Sequence, residues 1–324
     1  LTKSLTSDTL HRMKQHLYIR WTPKTDQTFV LNLDAGFNPF ASSENLFFLK
    51  HKSMTFYGGE PHFQIEMDTL SSAGILENLI ITQRYNSVAD LMNIILANDA
   101  ARRAGFKNIK LILPYFPAAR QDRVCNEGEP LTVKIFADMI NSCGFDQVFI
   151  LTPHSEVTPA LLNNVEVLDE LSYVEEAVRI SCPNAKDSVI NVVCPDAGAG
   201  KRVGKIASYL SQKFPYNTVN LIRCEKVRDV RDGSLKEFHV QADDLGGHPT
   251  IIFDDIVSMG GTFIGLGEVL KQKNCGKLML FTAHADCIEG LNKMVDYFDH
   301  VFVTNSKKNW NKLNDKINCF EIKL

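Results

Sequence analysis

Apolar, β-rich runs alternate with amphipathic helical stretches along most of the chain, and this alternation restricts the fold more than any other feature. NLIITQ (78–83) reads as a strand. SVADLMNIILANDAARRAG (87–105) reads as an amphipathic helix closed by Gly105, and KLILPYF (110–116) as the next strand. LTVKIFADMINSCG (131–144) follows as a helix and QVFILTP (147–153) as a strand. The second half repeats the style, with strands over 188–196, 218–226, 250–255 and 277–285 and helices over 202–214 and 262–276. Strands separated by helices build βαβ units and a mostly parallel sheet. The expected fold class is therefore α/β, in two successive parallel-sheet domains, 1–165 and 166–324. Residues 1–45 carry the least pattern.

A chain of 324 residues, 44% apolar, has material for two cores. The net charge of −3, without a basic block, gives no footprint for nucleic acid or a membrane surface. No apolar run reaches the roughly 18 residues of a membrane span, and Leu1 to Gln15 lacks the apolar stretch of a secretory signal. The eight cysteines form no C-x-x-C pair, so no zinc site or redox dithiol is expected. Most of them read as small buried hydrophobes in a reducing compartment, and the expected location is the cytoplasm.

Chemistry concentrates in FDDIVSMGGT (253–262), where an apolar strand runs into two carboxylates, a Gly-rich turn and a helix. In a parallel sheet, ligands bind at the carboxyl ends of strands. The amides of Gly260 and Gly261, the Thr262 hydroxyl and the helix amino terminus can hold a phosphate. Asp254 and Asp255, just before this cup, can bind vicinal sugar hydroxyls or Mg²⁺-bound water. Ser258 and Met259 complete the cup, which fits a ribose 5-phosphate. Lys226 and Arg228 alternate in EKVRDVRDG (225–233), so an extended backbone puts both cations on one face.

FDDIVSMGGT resembles the loop of type I phosphoribosyltransferases and of phosphoribosyl pyrophosphate synthetases. The first half of the chain separates the two. PYFPAARQDR (114–123) followed by GEPLTVK (128–134) closely resembles the ATP-binding segment of the synthetases, as does the stretch from Gln83 onward. TPHSE (152–156), CPDAGAGKR (194–202), CEKVRD (224–229), the ribose loop and VTNS (303–306) then follow in that family's order. The resemblance covers roughly 50–310. It implies two tandem type I phosphoribosyltransferase-like domains, each a mostly parallel sheet flanked by helices. The first would carry the ATP-binding segment and the second the ribose-phosphate loop.

The reaction implied is transfer of the β,γ-diphosphate of ATP to the anomeric hydroxyl of ribose 5-phosphate, with Mg²⁺ as cofactor and AMP leaving. By resemblance, Arg120 contacts the ATP phosphates and Gln121 the adenine, and Asp122 is a partner that fixes Arg120. His154 coordinates Mg²⁺ or binds the ATP phosphates and belongs to the catalytic set. Asp196 binds a second Mg²⁺ and the ribose, although it can equally cap the helix that follows. Lys226 and Arg228 stabilise charge on the transferring diphosphate. Phe56 and Glu60, in TFYGGE (55–60), resemble a hairpin that one subunit presents to its neighbour's adenine. That implies a homo-oligomer built from dimers, up to a hexamer.

The match has breaks. Gly58 replaces the family's usual acidic hairpin residue, and Thr152-Pro153 replaces Asp-Leu before the histidine. Val157 and Pro159-Ala160-Leu161 depart from the family near its subunit contacts, so assembly and allosteric control do not transfer. Ser258-Met259 stands where the family has Asp-Thr, a cup with one carboxylate and one hydroxyl fewer. A less charged cup leaves open ADP-ribose as acceptor, giving ADP-ribose pyrophosphate as in an NAD-salvage offshoot of the family. A non-catalytic regulatory paralogue is a further alternative.

Overall fold

The computed structural model describes residues 27–40, 46–70, 76–182, 189–215, 218–228, 235–311 and 313–323, with the side chains of 69–70, 227–228 and 235–237 excepted. The chain divides into two compact units, one closing after Leu168 and joined by the final residues from Glu321, the other spanning Asp169–Phe320.

In the first unit, β1 (Thr28–Asn32), β2 (Leu46–Phe48), β5 (Asn78–Thr82), β6 (Asn108–Ile112), β7 (Gln147–Leu151) and β8 (Val165–Leu168) form one sheet in the order β2-β1-β5-β6-β7-β8. Every pairing in it is parallel. The expected border at 165/166 would cut β8 from this sheet, and pairing of Val165–Leu168 with β7 is the reason the unit runs on to Leu168. Strand residues Leu31, Ile81, Leu111 and Ile150 are fully buried with Leu91 and Ile94 of helix α1 (Val88–Ala104). The Asp90 carboxylate accepts from the Ser87 backbone N–H at 2.7 Å at the start of α1. Gly105 ends it in the left-handed region at φ 105°, which is why glycine stands there.

Helix α2 (Thr132–Ser142) and the short α3 (Val157–Leu161) complete the unit's connections. Strand β6 stops at Ile112, short of the expected 116. Pro114 has no N–H to continue a ladder, and the chain turns there into a loop with Tyr115 and Phe116 buried. A separate antiparallel hairpin, β3 (His51–Thr55) and β4 (Pro61–Ile65), carries the TFYGGE turn. It is tied to α1 by a 3.1 Å bond from Ser53 Oγ to Asn93 Oδ1.

In the second unit, β9 (Val189–Cys194), β10 (Thr218–Arg228), β11 (Leu235–Val240), β12 (Thr250–Val257), β13 (Leu278–Ala285), β14 (His300–Thr304) and β15 (Ile317–Phe320) take the order β11-β10-β9-β12-β13-β14-β15. All eight residues of β13 are buried, as expected for a central parallel strand covered on both faces. Helices α4 (Leu171–Ser181), α5 (Gly200–Lys213), α6 (Gly261–Gln272) and α7 (Ile288–Tyr297) supply the cover. Val193, Ile252 and Leu280 pack in the core with Leu266, Leu270, Leu291 and Met294. Strand β10 changes partner along its length. Residues 218–223 pair in parallel with β9, and 224–228 pair antiparallel with β11.

Two ends differ from the sequence expectation. Strand β12 runs to Val257, two residues past the expected end at 255. Helix α6 stops at Gln272, not 276. Gly276 is held by a 2.8 Å bond from its N–H to the His248 carbonyl, where a side chain would collide with the Gly247 backbone.

Candidate active site

In each unit, the carboxyl ends of parallel strands present the residues that the sequence singles out. In the first, β6 feeds the loop containing Arg120, Gln121 and Asp122, and β7 leads to His154. These two strands are neighbours, so their loops leave the same edge of the sheet. Arg120, Gln121 and His154 are exposed, while Asp122 is buried. A turn bond from the Gln121 N–H to the Ala118 carbonyl, 2.8 Å, shapes the loop, and Ala118 sits at φ 56°. Thr152, two residues before His154, is also left-handed, at φ 38°. Such backbone is costly for residues other than glycine and gathers at functional sites.

Burial opposes the charge of Asp122, but hydrogen bonds from Ser155 and Arg123 outweigh it and hold the carboxyl below its ordinary range. The Ser155 bond also links the loop after β6 to the loop after β7. Asp122 also forms an ion pair with Arg123 at 3.1 Å. Phe56 and Glu60 flank the tight turn of the β3–β4 hairpin, where the Phe56 N–H donates to the Glu60 carbonyl at 2.9 Å. Both side chains are exposed, and the Phe56 ring lies 5.6 Å from the His62 ring.

In the second unit, β10, β9 and β12 are consecutive in the sheet. Lys226 lies in β10, Asp196 follows β9, and Asp254 and Asp255 lie near the end of β12. Lys226 Nζ is 2.5 Å from Asp196 Oδ2, and Asp196 Oδ1 accepts from the Ala199 N–H at 3.1 Å. The carboxylate thus shapes the turn leading into α5, whose N-cap is Ala199 rather than Asp196, and holds the lysine. Burial pushes the Asp196 carboxyl up, but the hydrogen bond and charge of Lys226 prevail and bring it below the usual range. Arg228 continues β10 by its backbone, opposite Leu235, and its side chain lies outside the described residues.

The cup follows β12. Ser258 is half-buried and Met259 exposed. Gly260 is the left-handed N-cap of α6 at φ 77°, and a side chain there would overlap Met294 of α7. Gly261 and Thr262 begin the helix, whose first N–H groups and positive dipole end suit an anion. Helix α7 braces the cup from behind, because a side chain at Gly290 would collide with the Ser258 carbonyl. In the VTNS stretch, Ser306 is fully buried, with its Oγ 2.7 Å from His284 Nδ1 of β13.

Asp254 has its carboxyl pushed up to about 7, first by burial and then by the charge of Asp255. Arg202 of α5 works against that rise. Its Nε and Nη2 donate to the two oxygens of Glu170 at 2.7 and 3.1 Å, and Nη2 also donates to the Asp254 carbonyl at 2.5 Å. Its Nη1 is 3.7 Å from Asp254 Oδ1. Burial disfavours the guanidinium charge, but Glu170, Asp254 and Asp255 more than compensate and raise its pKa further. The sequence reading assigned no role to Arg202 or Glu170. A signal existed: an arginine in a helix's first turn opposes the dipole and requires an anion.

Among the described residues, no three His, Cys, Asp or Glu side chains gather as a cation cage. The donors offered are single side chains, which suits Mg²⁺ carried on phosphate oxygens, since that ion takes one or two carboxylates plus phosphates and water. No helix among the described residues is long and apolar enough to cross a membrane.

Residues 45–144 match the family described as the N-terminal domain of ribose phosphate pyrophosphokinase. The ribose-phosphate pyrophosphokinase of Pyrococcus abyssi is 27% identical over 232 residues, covering 71% of this chain and 76% of the relative. That of Thermococcus kodakarensis is 27% identical over 224 residues, covering 68% and 75%. The crystal structure of phosphoribosylpyrophosphate synthetase from Mycobacterium smegmatis superposes with a TM-score of 0.75 at 18% identity, over 91% of this chain and 94% of that one. It shares the fold, which bears out the expected α/β class.

Proposed function

From the chain's similarity to ribose-phosphate pyrophosphokinases, we propose that it transfers the β,γ-diphosphate of ATP to the C1 hydroxyl of ribose 5-phosphate, releasing AMP and phosphoribosyl pyrophosphate. The observation that carries this reading is the second-unit site. A phosphate cup at the start of α6 follows a carboxylate pair on β12, Asp255 buried and Asp254 half-buried, and the neighbouring strands β9 and β10 bring in an aspartate–lysine pair.

Each group has a task in this scheme. The cup amides and the Thr262 hydroxyl bind the 5-phosphate, with Ser258, Met259, Gly260 and Gly261 shaping it. Asp254 and Asp255 accept from the ribose hydroxyls. Lys226, with Arg228, neutralises charge that develops on the diphosphate as it leaves AMP. Positioning and charge neutralisation of this kind provide most of the catalysis in phosphoryl transfer. In the first unit, Arg120 and His154 bind ATP phosphates, Gln121 binds the adenine, and Asp122 fixes the loop through Ser155 and Arg123. Phe56 and Glu60 contact the adenine of a neighbouring subunit in a homo-oligomer, and the protein works in the cytoplasm. Mg²⁺, when bound, shields the phosphate charges, with His154 and Asp196 each offering one donor.

The test is AMP release from ATP with ribose 5-phosphate, with ADP-ribose as a parallel acceptor. AMP with ribose 5-phosphate is the expected result. Faster release with ADP-ribose would overturn the acceptor, and no AMP with either sugar would overturn the enzyme.

A further inference from the structure

Arg202 is a cation in an unusual place. It lies in the first turn of α5, where the helix dipole opposes it, and its side chain is only 19% exposed. It forms a fork-on-fork pair with Glu170, whose residue is 4% exposed, and its remaining donors reach the backbone and side chain of Asp254. A planar guanidinium can serve both partners at once, and an ammonium cannot. The geometry connects the residue preceding α4, the first turn of α5 and the point on β12 where the sugar-binding carboxylates sit. Asp254, half-buried, and Asp255, buried, are adjacent carboxylates, and Arg202 is a cation that opposes their repulsion.

We propose that Arg202, oriented by Glu170, is the positioning residue that fixes Asp254 and Asp255 in place to receive the sugar hydroxyls. It touches the carboxylate strand and not the reacting phosphorus. Its action is therefore on sugar binding, and ATP binding is untouched. A purely structural role, fastening α4 and α5 to the sheet, would instead lower stability and impair every kinetic constant together. The proposal rests on the proposed sugar site.

The experiment compares Arg202→Lys, Glu170→Gln and the double variant Glu170→Gln/Arg202→Gln with the unaltered full chain. The double variant removes both members of the Glu170–Arg202 pair, so neither is left buried without the other, and thermal melting confirms that the variant measured is folded. AMP release gives KM for each substrate, calorimetry gives the affinity for ribose 5-phosphate, and thermal melting reports the fold. Hydrogen bonds to charged groups lead to an expected rise of about tenfold or more in KM and Kd for ribose 5-phosphate in Arg202→Lys and the double variant. Glu170→Gln, which keeps one acceptor, should raise them by less. KM for ATP should stay within about twofold, because the groups altered lie on the sugar carboxylates. Unchanged sugar affinity in a folded double variant overturns the proposal, as does a parallel loss for both substrates. No AMP from the unaltered chain overturns the underlying function instead.

Discussion

Replacing Lys226 by methionine keeps an unbranched side chain only one atom shorter and removes its charge, which tests the catalytic assignment directly. The ammonium is 2.5 Å from Asp196, with side-chain exposures of 16% and 31%, so neither partner is fully in water. A unit charge about 4 Å from a phosphoryl oxygen contributes about 4 kcal/mol at an effective dielectric of about 20. Giving up or sharing a partly exposed pair with Asp196 returns about 1 kcal/mol of that. The remaining ~3 kcal/mol corresponds to a loss of about two orders of magnitude in kcat. The assay is AMP release at saturating concentrations of both substrates, together with ATP binding by calorimetry. A loss below about threefold, or a matching fall in ATP affinity, would refute the reasoning, because a transition-state charge partner must act on turnover first. The same variant has a second signature. Lys226 holds the Asp196 carboxyl below its ordinary range despite burial. A depressed folded-state pKa contributes stability above the unfolded value, and that contribution fades as pH falls through the folded value. Wild type should therefore outlast the variant in urea at neutral pH. The gap should close below the carboxylate range.

Other expectations concern the cup, its carboxylates and the hairpin. Gly290→Ala forces a methyl into the Ser258 carbonyl, so it should cost about 1–3 kcal/mol in urea unfolding and raise the sugar KM; wild-type values for both would show that α7 does not brace the cup. Asp254 is raised to about 7 by burial and then by Asp255, so the stability it confers is present at low pH and is lost as pH rises through about 7. Asp255→Asn removes the second cause, and the fall in urea midpoint between about pH 5 and pH 8 should shrink; an unchanged slope would place the proton elsewhere. Phe56 is 49% exposed, so Phe56→Ala should leave the melting temperature nearly unmoved while raising KM for ATP. A variant with normal ATP kinetics would remove the hairpin from the adenine site.

Period and turn chemistry made the framework of the fold legible. The helix over 87–105 shows both its Ser87 start and its Gly105 stop in the sequence, and it forms as Val88–Ala104. Edges of sheets were harder to read. Strand β8 has four residues and β2 three, too few for a pattern, and β1 lies in the weakly patterned first 45 residues. Strand ends moved where local chemistry overrode apolar continuity. Pro114 cut β6 short, and β12 continued past its two carboxylates, poor strand formers, because Ile256 and Val257 pair with β13. In the site, the cup, the Asp196 turn and Lys226 could be located by residue type and spacing. The contacts of Asp196 with Lys226 and of Arg202 with Glu170 could not, since they join positions about thirty residues apart that only the sheet order brings together.

Strand β10 begins as a member of the parallel body and ends in a two-stranded ribbon, with the change falling between Arg223 and Cys224. Lys226 is on the ribbon, while Asp196, Asp254 and Asp255 are at the rigid body. Two-stranded ribbons are marginal without support from a sheet. The pairing here also shifts register between Val227 and Arg228. The lysine thus stands on the ribbon side of that change, held to the parallel body by the aspartate, while Phe238 and Val240 of β11 anchor the ribbon in the core. Amide exchange should be faster at 225–228 than at 219–222, and freezing the ribbon onto the sheet would slow turnover even with every contact side chain intact.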